Sequence, residues 1–185
     1  MQRTWTNRRR IIVFSIIAVA ILGFTIFIDQ WSKVYFKNLF SQNGKTTVIN
    51  DFFYLTYTVN TGAAWSFLSD VSWGQIFFKV LTSVAIVLFF IFYIYALKKN
   101  YKWLQVSVCL VLGGTIGNFI DRVRFGGVTD FLSFVFGDYH FPVFNFADSF
   151  LVVGVVMIII HYLFLDSSAV FKKKNGRKEV SNNGE

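Results

Sequence analysis

Charge is scarce in this chain. Charged residues make up 15% of its 185 positions, where soluble domains carry about 25%, and the mean hydropathy is +0.53. Those values exclude an ordinary soluble domain and describe an integral membrane protein. Cysteine is almost missing as well. The single Cys109 rules out a disulfide framework and a cysteine-type metal cluster, and within an apolar run it reads as a small buried hydrophobe. The two histidines, His140 and His161, are too few and too far apart for a zinc-ligand set. The one proline, Pro142, lies outside the long apolar runs. There is no internal repeat and no low-complexity tract.

What is present is a set of four apolar runs, at about residues 11–28, 76–97, 103–120 and 147–165. Each approaches the roughly 20 residues that cross a hydrocarbon core. The expected fold class is therefore an all-α membrane protein with four transmembrane helices. Residues 1–170 form one integral membrane domain, and 171–185 a basic tail whose polarity predicts disorder. Arg8 to Arg10 ahead of the first run, with Ala18-Val19-Ala20 inside it, offer a cleavable-signal reading. The run continues past that site far enough to span, so a retained helix is expected.

Short cytoplasmic loops collect Lys and Arg. Arg3 and Arg8 to Arg10, Lys98, Lys99 and Lys102, and the tail with Lys172 to Lys174, Arg177 and Lys178 would all be inside. The segments at about 37–74 and 121–143 would be outside. The net charge of +8 thus reports topology and contact with anionic membrane lipid, with no nucleic-acid signature. In the first outer segment, residues 48–59 are β-branched and aromatic with a two-residue alternation, which predicts a strand. Asn60-Thr61-Gly62 reads as a turn, and residues 63–68, with Trp65 and Phe67, as an interfacial helix. In the second, Gly126-Gly127 predicts a turn, and residues 128–136 a short strand or loop.

Carboxylates carry most of the chemistry in such a chain, because an unpaired charge at membrane depth costs several kcal/mol. Asp29 and Lys33, in Asp29-Gln30-Trp31-Ser32-Lys33, stand four apart and share a helix face. An aspartate at a helix C-terminus opposes the macrodipole, so the pair reads as scaffolding for a site. Gly113 and Gly117 form a small-residue face suited to close helix packing. Asn118, Asp121 and Arg122 follow within one turn, with Asp121 expected to be held by Arg122 or Arg124. Asp130 has apolar flanks, unlike a solvated loop aspartate. Asp148, in Phe144-Asn145-Phe146-Ala147-Asp148-Ser149, opens the last span, where Asn145 as N-cap and an acid at N3 resemble a capping box.

If Asp130 and Asp148 meet, both cannot ionise, and one holds a proton beside an anionic neighbour. That is a general acid next to a general base. The base would deprotonate a water that attacks a peptide carbonyl, and the acid would protonate the leaving nitrogen. His161 is 13 residues beyond Asp148, about 20 Å along a helix, and cannot share that site. His140 by itself makes no convincing Ser-His pair. Ser32, Ser66, Lys33 and Lys79 near the outer face form the rival Ser-Lys reading, although Lys79 is better read as snorkelling to the interface.

Four blocks in order, Asp29 to Lys33, Asn60 to Ser66, Gly113 to Arg122 with Val128-Thr129-Asp130-Phe131, and Phe144 to Ser149, resemble signal peptidase II, the bacterial lipoprotein signal peptidase family. The resemblance implies an aspartic endopeptidase of the bacterial plasma membrane, with catalytic residues Asp130 and Asp148 and no metal or other cofactor. It implies supporting roles for Asn60, Gly62, Asn118, Asp121, Arg122, Asn145, Ala147, Asp29 and Lys33. It further implies four transmembrane helices, an extracytoplasmic β-cradle and an interfacial helix. The substrates would be prolipoproteins carrying diacylglycerol on a cysteine, cleaved just before it, and the inhibitors cyclic peptides such as globomycin. Trp65 stands where the family commonly has Phe. Two other classes remain distinguishable from the sequence. A proton-coupled transporter would spread its acids through the membrane depth, whereas Asp29, Asp121, Asp130 and Asp148 gather at one end. A membrane scaffold would tolerate asparagine at both Asp130 and Asp148.

Overall fold

Hydrocarbon offers no water to a backbone N–H or C=O, so a long apolar run is stable there only where its hydrogen bonds close within the segment. In a computed structural model, which describes residues 2–40, 44–62 and 73–165, all four runs are helical. They are α1 (Gln2–Leu39), α2 (Gly74–Lys98), α3 (Lys102–Phe125) and α4 (Phe146–Ile160), the last extended by a π-helical turn, His161–Leu165. All four are long and apolar enough to cross a membrane. The helix α1 continues unbroken past residue 28. Lys33 neutralises Asp29 one turn later at 2.8 Å, so the polar pair does not end it.

The bundle is built around α3, which packs against α1, α2 and α4. Most of α3 is buried, while the other three expose their apolar residues as lipid-facing helices do. Glycines permit that closeness. A Cβ at Gly113 would strike Thr25 of α1, one at Gly117 the Asp29 carboxylate, and one at Gly114 the backbone carbonyl of Ala147 on α4. The expected small-residue face of α3 is therefore a helix-packing face. Cys109 is buried within an apolar cluster that includes Ala18, Ala96, Leu104 and Val108.

The connections at the opposite end from the α2–α3 turn make a four-stranded antiparallel sheet in the order β1-β2-β3-β4. Its strands are β1 (Lys45–Ile49), β2 (Phe53–Asn60), β3 (Val128–Phe136) and β4 (Tyr139–His140). The single strand expected across residues 48–59 is instead a hairpin. Asp51 takes φ 57°, a left-handed conformation that aspartate tolerates, and the Phe52 amide closes the turn on the Ile49 carbonyl at 3.2 Å. Gly126 ends α3 in the same left-handed region, φ 71°, as a glycine C-cap does. The chain then enters β3, a full strand where strand or loop was expected. A bulge between Leu55 and Thr58 of β2 brings Thr58 opposite Asp130. The interfacial helix expected at residues 63–68, with Ser66, and the tail 171–185 lie outside the described residues.

Candidate active site

Asp29, on the second half of α1, is fully buried. Its Oδ2 accepts from Lys33 Nζ at 2.8 Å, and its Oδ1 accepts from the backbone N–H of Ala147 at 3.0 Å, which joins α1 to the first turn of α4. Lys33 also donates to Asn118 Oδ1 at 2.8 Å and pairs with Asp121 Oδ2 at 3.4 Å. A buried ammonium facing two carboxylates and an amide oxygen is an anchor for three helices, and that engagement leaves it no lone pair with which to serve as a base. Ser32 is likewise committed, donating to the Asp29 carbonyl at 2.8 Å. Among the described residues, the Ser-Lys reading therefore finds no activated pair.

Asp121 differs from expectation. Its carboxylate is held by Lys33, by Gln30 Nε2 at 3.0 Å and by the Thr129 amide at 3.0 Å, with Arg122 acting on it through space. The cause is helical geometry. Successive residues are rotated by about 100°, so Asp121 looks toward α1 while Arg122 looks along the sheet. There Arg122 donates to the Gly62 carbonyl at 3.3 Å, and its guanidinium lies 5.3 Å over the Phe78 ring. Arg124 turns to the Phe125 ring.

On this anchor stand the two other aspartates. Asn145 caps α4 in a complete capping box: its side chain accepts from the Asp148 amide, and the Asp148 side chain accepts from the Asn145 amide. The same Asn145 is buried, and its Nδ2 donates to Asp130 Oδ1 at 2.6 Å, to Asn118 Oδ1 at 3.2 Å and to the Thr129 carbonyl at 3.2 Å. Asn118 Nδ2 donates to Asp148 Oδ1 at 2.8 Å. Two asparagines thus tie Asp130 at the start of β3 to Asp148 at the start of α4. Asn60, at the end of β2, donates to Asp130 Oδ2 at 3.3 Å and accepts from the Gly62 amide.

Burial, and then the charge of Asp148, push the Asp130 carboxyl up to about 7; the amides of Asn145 and Asn60 and the charge of Lys33 pull the other way. Asp130 is therefore a buried carboxyl held well above the usual carboxylate range, and the part-buried Asp148 side chain is linked to it through Asn118 and Asn145. Beside Asp130 opens a cavity of about 260 Å³, lined by Asn60, Asp130, His140 and Pro142 among others.

The residues given catalytic or supporting roles by the resemblance, Asp29, Lys33, Asn60, Gly62, Asn118, Asp121, Arg122, Asp130, Asn145, Ala147 and Asp148, fall in this one constellation. His161 does not, since its ring packs on Tyr101 at 4.9 Å, near the α2–α3 turn. Two further members of the network escaped sequence reasoning. Gln30 links Asp29, Asp121 and the Gly117 carbonyl, and Thr129 uses both backbone groups; His140, set aside as a zinc ligand or Ser-His partner, lines the cavity. Gln30 and Thr129 adjoin Asp29 and Asp130 in sequence, which is the one signal that marks them.

The family model for Signal peptidase (SPase) II matches residues 7–164. The chain belongs to that family. It is 44% identical over 171 residues to the lipoprotein signal peptidase of Enterococcus faecalis, covering 91% of this chain and 98% of that one. It is 40% identical over 141 residues to that of Bacillus velezensis, covering 76% and 90%. Two solved bacterial membrane enzymes share its fold, one with TM-score 0.71 and 32% identity over 86% of this chain and 94% of that one. The other has TM-score 0.68 and 34% identity over 79% and 92%. As a signal peptidase II, the protein is a membrane-embedded protease with four spans and a small antiparallel sheet.

Proposed function

We propose that this signal peptidase II is an aspartic endopeptidase that removes the signal peptide from diacylglyceryl-modified prolipoproteins, cutting just before the lipidated cysteine. The observation that carries the reading is the bridge Asp130–Asn145–Asn118–Asp148, which links a buried carboxyl at the edge of a cavity to a second carboxyl group at the start of α4. In the reaction, Asp148 takes a proton from water as its oxygen attacks the scissile carbonyl carbon. Asp130 then gives its proton to the nitrogen as the C–N bond breaks. The signal peptide leaves with a carboxylate and the cysteine with a free amine, and the proton on Asp148 restores Asp130. Arg122 and Asn145 polarise the carbonyl or hold the substrate backbone. No covalent intermediate forms.

Acyl chains explain why this chemistry is housed in a bilayer. They keep the scissile bond at headgroup level and deliver it by lateral diffusion, so substrate is positioned before reaction. The distribution of Lys and Arg supports cytoplasmic termini and an outer-face site in the bacterial plasma membrane. In this arrangement residues 1–170 form the peptidase domain and 171–185 a cytoplasmic tail. Cyclic peptides such as globomycin would occupy the space between the aspartates. Purified protein in lipid, given a prolipoprotein with and without diacylglycerol on its cysteine, tests the reading by mass spectrometry. A single cut directly before the modified cysteine, absent from the unmodified form, is expected; a cut elsewhere, or indifference to the lipid, would overturn it.

A further inference from the structure

The sheet carries a second cavity. It holds about 470 Å³, and its walls include Lys45, Asp51, Tyr54, Ser133, Asp138 and His140. Strand register explains the grouping. Tyr54 lies opposite Ser133 on β2 and β3, and Val135 opposite His140 on β3 and β4. Thr47 pairs with Tyr54, so Lys45, two residues away, shares its face, with its Nζ 5.2 Å over the Tyr54 ring. Asp51 comes from the β1–β2 turn, and its amide donates to the Tyr54 hydroxyl at 3.1 Å. Asp138 comes from the β3–β4 turn, where Gly137 at φ 62° reverses the chain. Each side of the cavity therefore offers one cationic or basic group and one acid.

His140 lines both the polar basin on the sheet and the space beside Asp130. An acyl chain or an apolar signal segment has no reason to enter a basin of mixed charge. The leaving half of the substrate has one. Its cysteine is held at the membrane by lipid, and the polypeptide beyond must run outward over the sheet. We propose that this cavity binds the first residues following the lipidated cysteine, a polar peptide of mixed charge, with His140 at the junction as a positioning residue. The inference rests on the peptidase reading above and adds a subsite to it.

Two diacylglyceryl peptides test it, one ending at the modified cysteine and one continuing for about five polar residues, ~16 Å of extended chain. The readout is the ratio of their KM values within one enzyme, wild type or the double variant Lys45→Gln/Asp138→Asn, so differences in folded amount cancel. Wild type should favour the longer peptide by about threefold to tenfold, the range exposed charge contacts allow. In the double variant the ratio should collapse toward one, with kcat for the two peptides moving together. A wild-type ratio near one, or a ratio that survives in the variant, would overturn the proposal. Cleavage persisting in Asp148→Asn would instead overturn the aspartate reading, and the KM ratio would still decide the cavity.

Discussion

Asp130 gives the site its pH response. The unfolded chain releases this proton near 3.8, whereas burial and Asp148 hold it to about 7 in the fold. The folded state therefore binds the extra proton between those values, and stability falls as pH rises through that window. Thermal unfolding of wild type in detergent should show a Tm that declines from about pH 4 to 7, with the decline reduced in Asp130→Asn. Under the proposed mechanism the rate follows the same proton. The kcat/KM of wild type should fall on the alkaline side through about 7, as apparent behaviour of the coupled pair; a profile flat from 6 to 9 would contradict the assignment of Asp130 as the acid. Lys33 is a different case, because it acts through structure. Lys33→Met would leave Asp29 and Asp121 buried without their cation, and losing one partner of a buried ion pair costs about 3–5 kcal/mol. Chemical unfolding against wild type measures that loss. The Asp29–Lys33 pair was legible because a spacing of four fixes it on any helix. The hold of Lys33 and Gln30 on Asp121 was not, since it joins α1 to α3 across a distance no local spacing encodes.

At the scale of elements, the site depends on how closely α3 approaches α1 and α4. Gly117 faces the Asp29 carboxylate and Gly114 the Ala147 carbonyl, so Gly117→Ala must displace the group that holds the first turn of α4. Overpacking of this kind costs about 1–3 kcal/mol, and activity should fall further than stability because Ala147 adjoins Asp148. Gly23 on α1 has nothing within 4 Å of an added Cβ, and Gly23→Ala should be neutral or stabilising by up to about 1 kcal/mol. Parallel thermal unfolding and cleavage assays on the two variants separate close packing from propensity. The helices and the capping box at Asn145 were readable because apolar length and cap chemistry are local. The β1–β2 hairpin was not, because Asn50-Asp51-Phe52 lacks the glycine or proline that usually signals a turn, and Asp51 supplies the positive φ instead.

For the whole molecule, the four spans set sheet and carboxylates at one end and the Lys99–Tyr101 connection at the other. With a net charge of +8 concentrated in the N-terminus, that connection and the tail, the positive-inside rule predicts cytoplasmic termini and a sheet at the outer face. In cells, Asp138→Cys should react with a membrane-impermeant thiol reagent, and Lys99→Cys should react only after the membrane is opened; the reverse pattern would invert the topology and place the site inside. Clustering of the acids at one end was visible in the sequence. The detailed bridge through Asn145 and Asn118 needed the fold, because it draws on α3, β3 and α4 together. That bridge leads to one decisive comparison: cleavage of a diacylglyceryl-modified prolipoprotein by wild type, Asp130→Asn and Asp148→Asn at matched folded amounts in lipid. Loss of cleavage by at least about 10³-fold in each variant, with substrate still bound, is the predicted result. Cleavage retained by either variant would contradict the aspartate pair as the catalytic machinery.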